Sequence, residues 1–163
     1  MLPLCPEHHG VTLRPMAEED RNAILDMMRG FYASDAVHTN GSDSIFQADI
    51  DACVGPSPYL EGWIFVSRQA SIVGYAMLAR SFSTEFGLPC IWVEDLFLKP
   101  DWRCLGLADA FFHMLREKFP ETLLRLEAEE ENRHAVHVYR KNGFEEMPYL
   151  ELVRQPDRSE ARP

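Results

Sequence analysis

Apolar positions along the chain change their period several times, and each change marks an element. Val11-Thr12-Leu13-Arg14 alternates and predicts a short strand, which Pro15 stops because proline has no N–H for a ladder. Glu18, Glu19 and Asp20 then place negative charge where a helix N-terminus favours it. Ile24, Met27, Met28 and Phe31 follow at helical spacing. Tyr32 to Ser44 is polar, carries the turn signal Asn40-Gly41 and reads as a surface loop able to overhang a site. Phe46 to Cys53 predicts a second, shorter helix before Gly55-Pro56. Trp63 to Val66 is continuously apolar, as in a strand buried on both faces, and Ile72 to Ala79 reads as its hairpin partner.

The second half is punctuated more sharply. Ile91 to Leu98 is a strand-length apolar run broken only by Glu94 and Asp95, and Pro100 ends it. Ala108, Phe111, Phe112, Leu115 and Phe119 make one helical stripe, closed by Pro120. Leu124 and Leu126 alternate with Arg125 and Glu127 as another strand. Asn132 is a good N-cap for a helix carrying Ala135, Val138 and Tyr139, and Gly143 suits its end. Phe144 to Met147 and Tyr149 to Val153 read as two final short strands, and 155–163 as a frayed tail.

The order is β-α-α-β-β-β-α-β-α-β, a mixed α/β chain. The helix between the strand at Ile91 and the strand at Leu123 reads as a crossover that makes those strands parallel. At 163 residues one domain is expected, over 11–154, with residues 1–10 as a loose leader. The net charge of −10 argues against nucleic acid and suits a cationic partner. Cys5, Cys53, Cys90 and Cys104 are scattered, with no metal-binding spacing, so reduced thiols in the cytoplasm are expected. The six histidines form no ligand set, and no apolar run approaches the ~18 residues of a membrane span.

The stretch from Ile91 to Ala108 is the candidate site. Carboxylates on a strand are followed by a turn, Arg103-x-x-Gly106-x-Ala108, and then a helix. Amides at such a helix N-terminus bind phosphate oxygens, and the carboxylates can handle a proton. Arg103-x-x-Gly106-x-Ala108 resembles the first signature of the GCN5-related N-acetyltransferases, and Asn132-x-x-Ala135-x-x-x-Tyr139-x-x-x-Gly143-Phe144 resembles their second coenzyme element. The Val11–Pro15 opening is similar to that family's start, so the likeness covers residues ~11–154. Val93-Glu94-Asp95-Leu96-Phe97-Leu98 is similar to the diamine and polyamine acetyltransferase branch. One departure is Cys104, where glycine is common; a positive φ there would strain the loop.

The resemblance implies a mostly antiparallel central sheet flanked by about four helices, with a parallel βαβ unit splayed by a bulge at the cofactor site. It implies acetyl-coenzyme A as co-substrate, a primary amine as acceptor and, by analogy, a homodimer. Arg103 and the amides of Cys104, Leu105, Gly106, Leu107 and Ala108 would hold the diphosphate. Backbone groups of Leu96, Phe97 and Leu98, with Asn132, would hold the pantetheine arm. Glu94 is the candidate base and Tyr139 the candidate acid. Successive strand residues face opposite ways, so Glu94 and Asp95 are not expected to point the same way. Asp95, Glu85, Tyr32, Asp35 and Glu129 are candidates for binding a cationic or polyamine-like acceptor. Two other readings stay open: a non-catalytic acyl-coenzyme-A sensor, and an acetyltransferase for protein N-termini or lysines.

Overall fold

The computed structural model describes residues 2–3, 10–34 and 41–156. Its sheet has six strands in the order β1 (Leu2–Pro3), β2 (Thr12–Pro15), β3 (Leu60–Val66), β4 (Ile72–Ser83), β5 (Leu88–Leu98) and β6 (Leu123–Leu126). Neighbours are antiparallel except β5 and β6, which are parallel. The helices are α1 (Arg21–Tyr32), α2 (Asp43–Val54), α3 (Leu107–Lys118) and α4 (Arg133–Lys141). Because α3 carries the chain from β5 back to the start of β6, the expected parallel pair follows.

Alternation along the strands divides the core in two. On one face Leu13, Phe65, Ile91 and Val93 pack against Leu107, Phe111, Phe112 and Leu115 of α3, with Val138 and Tyr139 of α4 outside them. On the other, Ile64, Tyr75 and Met77 pack against Ile24 and Met28 of α1 and Phe46 and Ile50 of α2. Phe111 and Phe112 are fully buried, which stabilises by roughly 1.5–3 kcal/mol each. Arg14 donates to both oxygens of Asp20 at 2.7 and 2.8 Å, fastening β2 to the entry of α1.

Three expectations are corrected. The β4–β5 hairpin continues to Ser83 and Leu88, several residues beyond the apolar runs that announced it. Leu2 and Pro3 of the expected loose leader pair with Leu13 and Thr12. Residues 144–156 form neither helix nor strand. Pro148 divides that segment, and past it the apolar side chains find no face to cover: Leu150, Leu152 and Val153 are 83, 84 and 85% exposed.

Candidate active site

The site begins where β5 leaves β6. The two strands pair only over Cys90–Val93 and Leu123–Leu126. In the β4–β5 ladder Leu78 faces Val93 and Met77 faces Asp95, so Glu94 is an extra residue, a β-bulge. Past it Leu96, Phe97 and Leu98 pair with Ala76, Tyr75 and Gly74 on one side and with no strand on the other. The bulge also resets the alternation. Ile91 and Val93 face α3, and so do Leu96 and Leu98, whereas Phe97 packs with Tyr75 on the α1–α2 side.

A one-turn 3-10 helix, Pro100–Trp102, leads into the loop before α3. Trp102 and Leu105 anchor that loop on the α3 core. Cys104 adopts φ +59° and Gly106, the residue before α3, φ +74°. The strain anticipated at Cys104 is therefore present. Left-handed residues so close together turn neighbouring amides toward one concavity. Among the described residues, none of the amides of Cys104, Leu105, Gly106, Leu107 or Ala108 donates to a protein acceptor. They sit at the positive end of a twelve-residue helix. Arg103 instead turns back: its Nε donates to the Leu98 carbonyl at 2.8 Å, and its guanidinium lies 5.4 Å from the Phe97 ring centre.

α4 closes the same side. Asn132 caps it, Oδ1 accepting from the Ala135 amide at 3.3 Å, and Gly143 with φ +86° follows its end. Cys104 Sγ lies 3.8 Å from His134 Nε2, which sets the start of α4 beside the loop. Tyr139 packs edge-on against Phe112 and Phe144, with ring centres 5.8 and 6.1 Å away. Its hydroxyl has no hydrogen-bond partner among the described residues and is not sealed from solvent. Burial pushes the phenol above its usual range, so it stays protonated and able to donate.

The carboxylates sort differently from expectation. Glu94 is exposed, and partial burial with the charges of Asp49 and Glu151 raises its pKa. Asp95 is 5% exposed and accepts the Tyr32 hydroxyl at 3.2 Å and the Tyr75 hydroxyl at 2.9 Å. It stands behind the cleft, not in it. Burial pushes its carboxyl up to about 6, opposed by those two hydrogen bonds and reinforced by Asp49 and Glu94. Because the bulge breaks the alternation, Glu94 and Asp95 both sit in the field of Asp49.

Glu85 does not join this group. It lies in the β4–β5 turn, about 20 Å along the strand from Glu94, where Tyr149 donates to it at 2.7 Å and Arg125 approaches at 3.7 Å. Glu129 belongs to the turn before α4, its carbonyl accepting from the Asn132 amide. Asp35 lies outside the described residues. Four unanticipated residues are present instead: Asp49 on α2, Tyr75 on β4, Glu127 after β6 and Glu151 in the C-terminal segment. Partial burial and a hydrogen bond to Glu151 push Glu127 up to about 7. No cationic side chain pairs with Asp49, Glu94 or Glu127 among the described residues. Those residues also hold no metal-binding group and no helix long and apolar enough to cross a membrane.

A family model described as the acetyltransferase (GNAT) family matches residues 24–144. The chain belongs to that family. The match spans the bulge, the loop and α4. No curated protein matches this acetyltransferase in sequence. Its fold is shared with a possible acetyltransferase from Clostridium difficile 630, at 13% identity and a TM-score of 0.76, covering 90% of this chain and 98% of that one. It is shared too with the aminoglycoside acetyltransferase AAC(6')-Iy in complex with a bisubstrate analog of coenzyme A and acetylneamine. There the identity is 16% and the TM-score 0.70, over 90% and 99% of the two chains. A ribosomal-protein-alanine N-acetyltransferase from Brucella melitensis gives 13% and 0.68, over 89% and 99%. Acetyl-coenzyme A fits this acetyltransferase: unbonded amides stand ready for a diphosphate, and an open strand edge for an amide-bearing arm.

Proposed function

We propose that this acetyltransferase acetylates a primary amine on a small cationic, polyamine-like acceptor by direct attack in a ternary complex. The observation that carries the reading is the divergence of β5 from β6 at Glu94. It opens a strand edge for the coenzyme arm directly beside carboxylates that have no cationic partner among the described residues. Acetyl-coenzyme A supplies an activated acyl carbon and a thiolate leaving group.

The rest is the work of the chain. Amides from Cys104 to Ala108 and the Arg103 side chain hold the diphosphate, and the Leu96–Leu98 edge aligns the arm. Asn132 shapes the start of α4 and flanks the arm. An alkylammonium has a pKa near ~10 and must lose a proton before it attacks. Glu94, exposed at the bulge with a raised pKa, takes that proton. Tyr139, protonated and without a partner, donates to the departing sulfur. Asp49, Glu94 and Glu127 attract the cation, and Tyr32 lines the wall toward α1. That the bisubstrate complex of AAC(6')-Iy holds an acetylated amino sugar supports a small cationic acceptor.

The reading places the enzyme in the cytoplasm as a homodimer. The free thiols Cys53, Cys90 and Cys104 support the first. The exposed Leu150, Leu152 and Val153 support the second, and sedimentation tests it.

The deciding experiment measures thiol release from acetyl-coenzyme A over a panel of diamines, polyamines, amino sugars and peptides. Turnover favouring polycationic small amines supports the proposal. Preference for a peptide N-terminus or lysine overturns the acceptor class, and silence on every amine favours a sensor.

A further inference from the structure

Beneath the cleft lies a buried carboxylate whose partners among the described residues are all neutral. Both oxygens of Asp95 accept phenol hydroxyls, and among the described residues no arginine or lysine reaches it. Burying a charge without a counter-ion is unfavourable, so a neutral residue there would leave the core easier to form. Its two partners are unequal. Tyr75 is fully buried in β4 and stacks on Phe97, so its position is set by the sheet. Tyr32 is half-buried at the last turn of α1, its ring 4.9 Å from that of Phe46 on α2 and 5.4 Å from that of Phe31.

We infer, resting on the function proposed above, that Asp95 is a positioning residue that makes Tyr32 a hydrogen-bond acceptor for the substrate ammonium. A phenol has one proton and two lone pairs. With the proton committed to Asp95, the lone pairs are what remains for the cleft. They accept an N–H or O–H and offer nothing to a carbonyl acceptor at that spot. Burial and the charge of Asp95 hold the phenol well above its usual range, so Tyr32 keeps that proton. An amide at position 95 can instead donate to the Tyr32 oxygen, which frees the phenol to turn its O–H outward. The charged and titratable groups around Asp95 are Tyr32, Asp49, Cys53, Tyr75 and Glu94, and none of them is a cation.

The test is steady-state kinetics on the best amine of the panel with Asp95→Asn, Tyr32→Phe and the double variant. Each single change is expected to raise KM for the amine about tenfold, with kcat within about twofold, as for one lost hydrogen bond to a charged group. The double variant is expected to match the singles, because both act through one oxygen. The coenzyme-induced thermal shift should stay that of the wild type. An unchanged KM in Asp95→Asn, or additive losses in the double variant, overturns the inference. If Asp95→Asn does not fold, Tyr32→Phe decides: a raised KM with kcat kept supports it, and an unchanged KM overturns it. A wild type silent on all amines refutes the proposed function instead, so the two failures are distinct.

Discussion

Arg103 donates through Nε to the carbonyl of Leu98 at 2.8 Å, so two groups expected to hold the coenzyme hold each other. The contact closes the end of the open strand edge and lays the guanidinium over Phe97. In the proposed mode of binding, the coenzyme exchanges one partner of Arg103 for another. Arg103→Ala is expected to weaken acetyl-coenzyme A about tenfold, roughly 1.4 kcal/mol, and to flatten the salt dependence of binding. Calorimetric titration at two ionic strengths checks this, and an unchanged affinity would remove Arg103 from the binding groups.

Glu94→Gln and Tyr139→Phe each remove one proposed proton-transfer group while keeping shape. Each is expected to lower kcat by about 10²-fold or more with the coenzyme thermal shift intact. At a hundredfold excess over the dissociation constant that stabilisation is about 2.7 kcal/mol. Both variants turning over at the wild-type rate would strike out the two roles.

Cys104→Gly relieves a left-handed non-glycine residue. The relief of roughly 1–2 kcal/mol is partly offset by the greater freedom of glycine in the unfolded chain, about 0.5–1 kcal/mol. A small rise in Tm with kcat retained is the expected outcome. Loss of turnover would instead assign the thiol a chemical part.

Gly74 lies opposite Leu98, and a Cβ there would stand 2.4 Å from the Phe97 carbonyl oxygen. Gly74→Ala must push β5 away from β4 just where the coenzyme arm is proposed to align. Destabilisation of about 1–3 kcal/mol is expected, together with weaker coenzyme binding. Denaturant titration and a binding isotherm on the same preparation check both effects.

Stability should also depend on pH with a definite sign. Asp95 is raised to about 6 and Glu127 to about 7, and Asp49 and Glu94 are raised as well. The folded state holds these protons more tightly than the unfolded chain does. Their contribution is fully present below about pH 4 and is lost as pH rises through about 6 to 7. Asp95 alone accounts for on the order of 3 kcal/mol of that loss. Asp20 acts oppositely: burial would raise it, but hydrogen bonds from Arg14 and Ala17 hold it below its usual range, so its share is lost on acidification. Tm is expected to peak near pH ~5 and to fall toward pH ~8, and Asp95→Asn should shallow that fall. A Tm that climbs steadily over the same interval contradicts the assignment.

What could be read from residues alone was what local physics dictates. The α3 stripe, the Asn132 cap and the Gly143 stop after α4 depend on neighbours within a few positions, and all appear as expected. Glu85 lies in the turn at 84–87, and because β4 and β5 pair out to Ser83 and Leu88 that turn stands far from the cleft. Asp49 and Glu151 were invisible because only tertiary packing brings α2 and the C-terminal segment to Glu94. Tyr75 looked like any aromatic on a buried strand, and nothing nearby in sequence announces its bond to Asp95. The final strands failed because a β-pattern needs a partner as well as a period.

The short β5–β6 ladder has one more consequence. After four residue pairs β5 and β6 are no longer knitted together, and beyond that point one edge of β5 has no strand partner among the described residues. A coenzyme arm lying in that fork stands in for an absent strand. How long a molecule of this enzyme survives should then follow the supply of its own co-substrate, with scarcity exposing the seam to unravelling and to proteases.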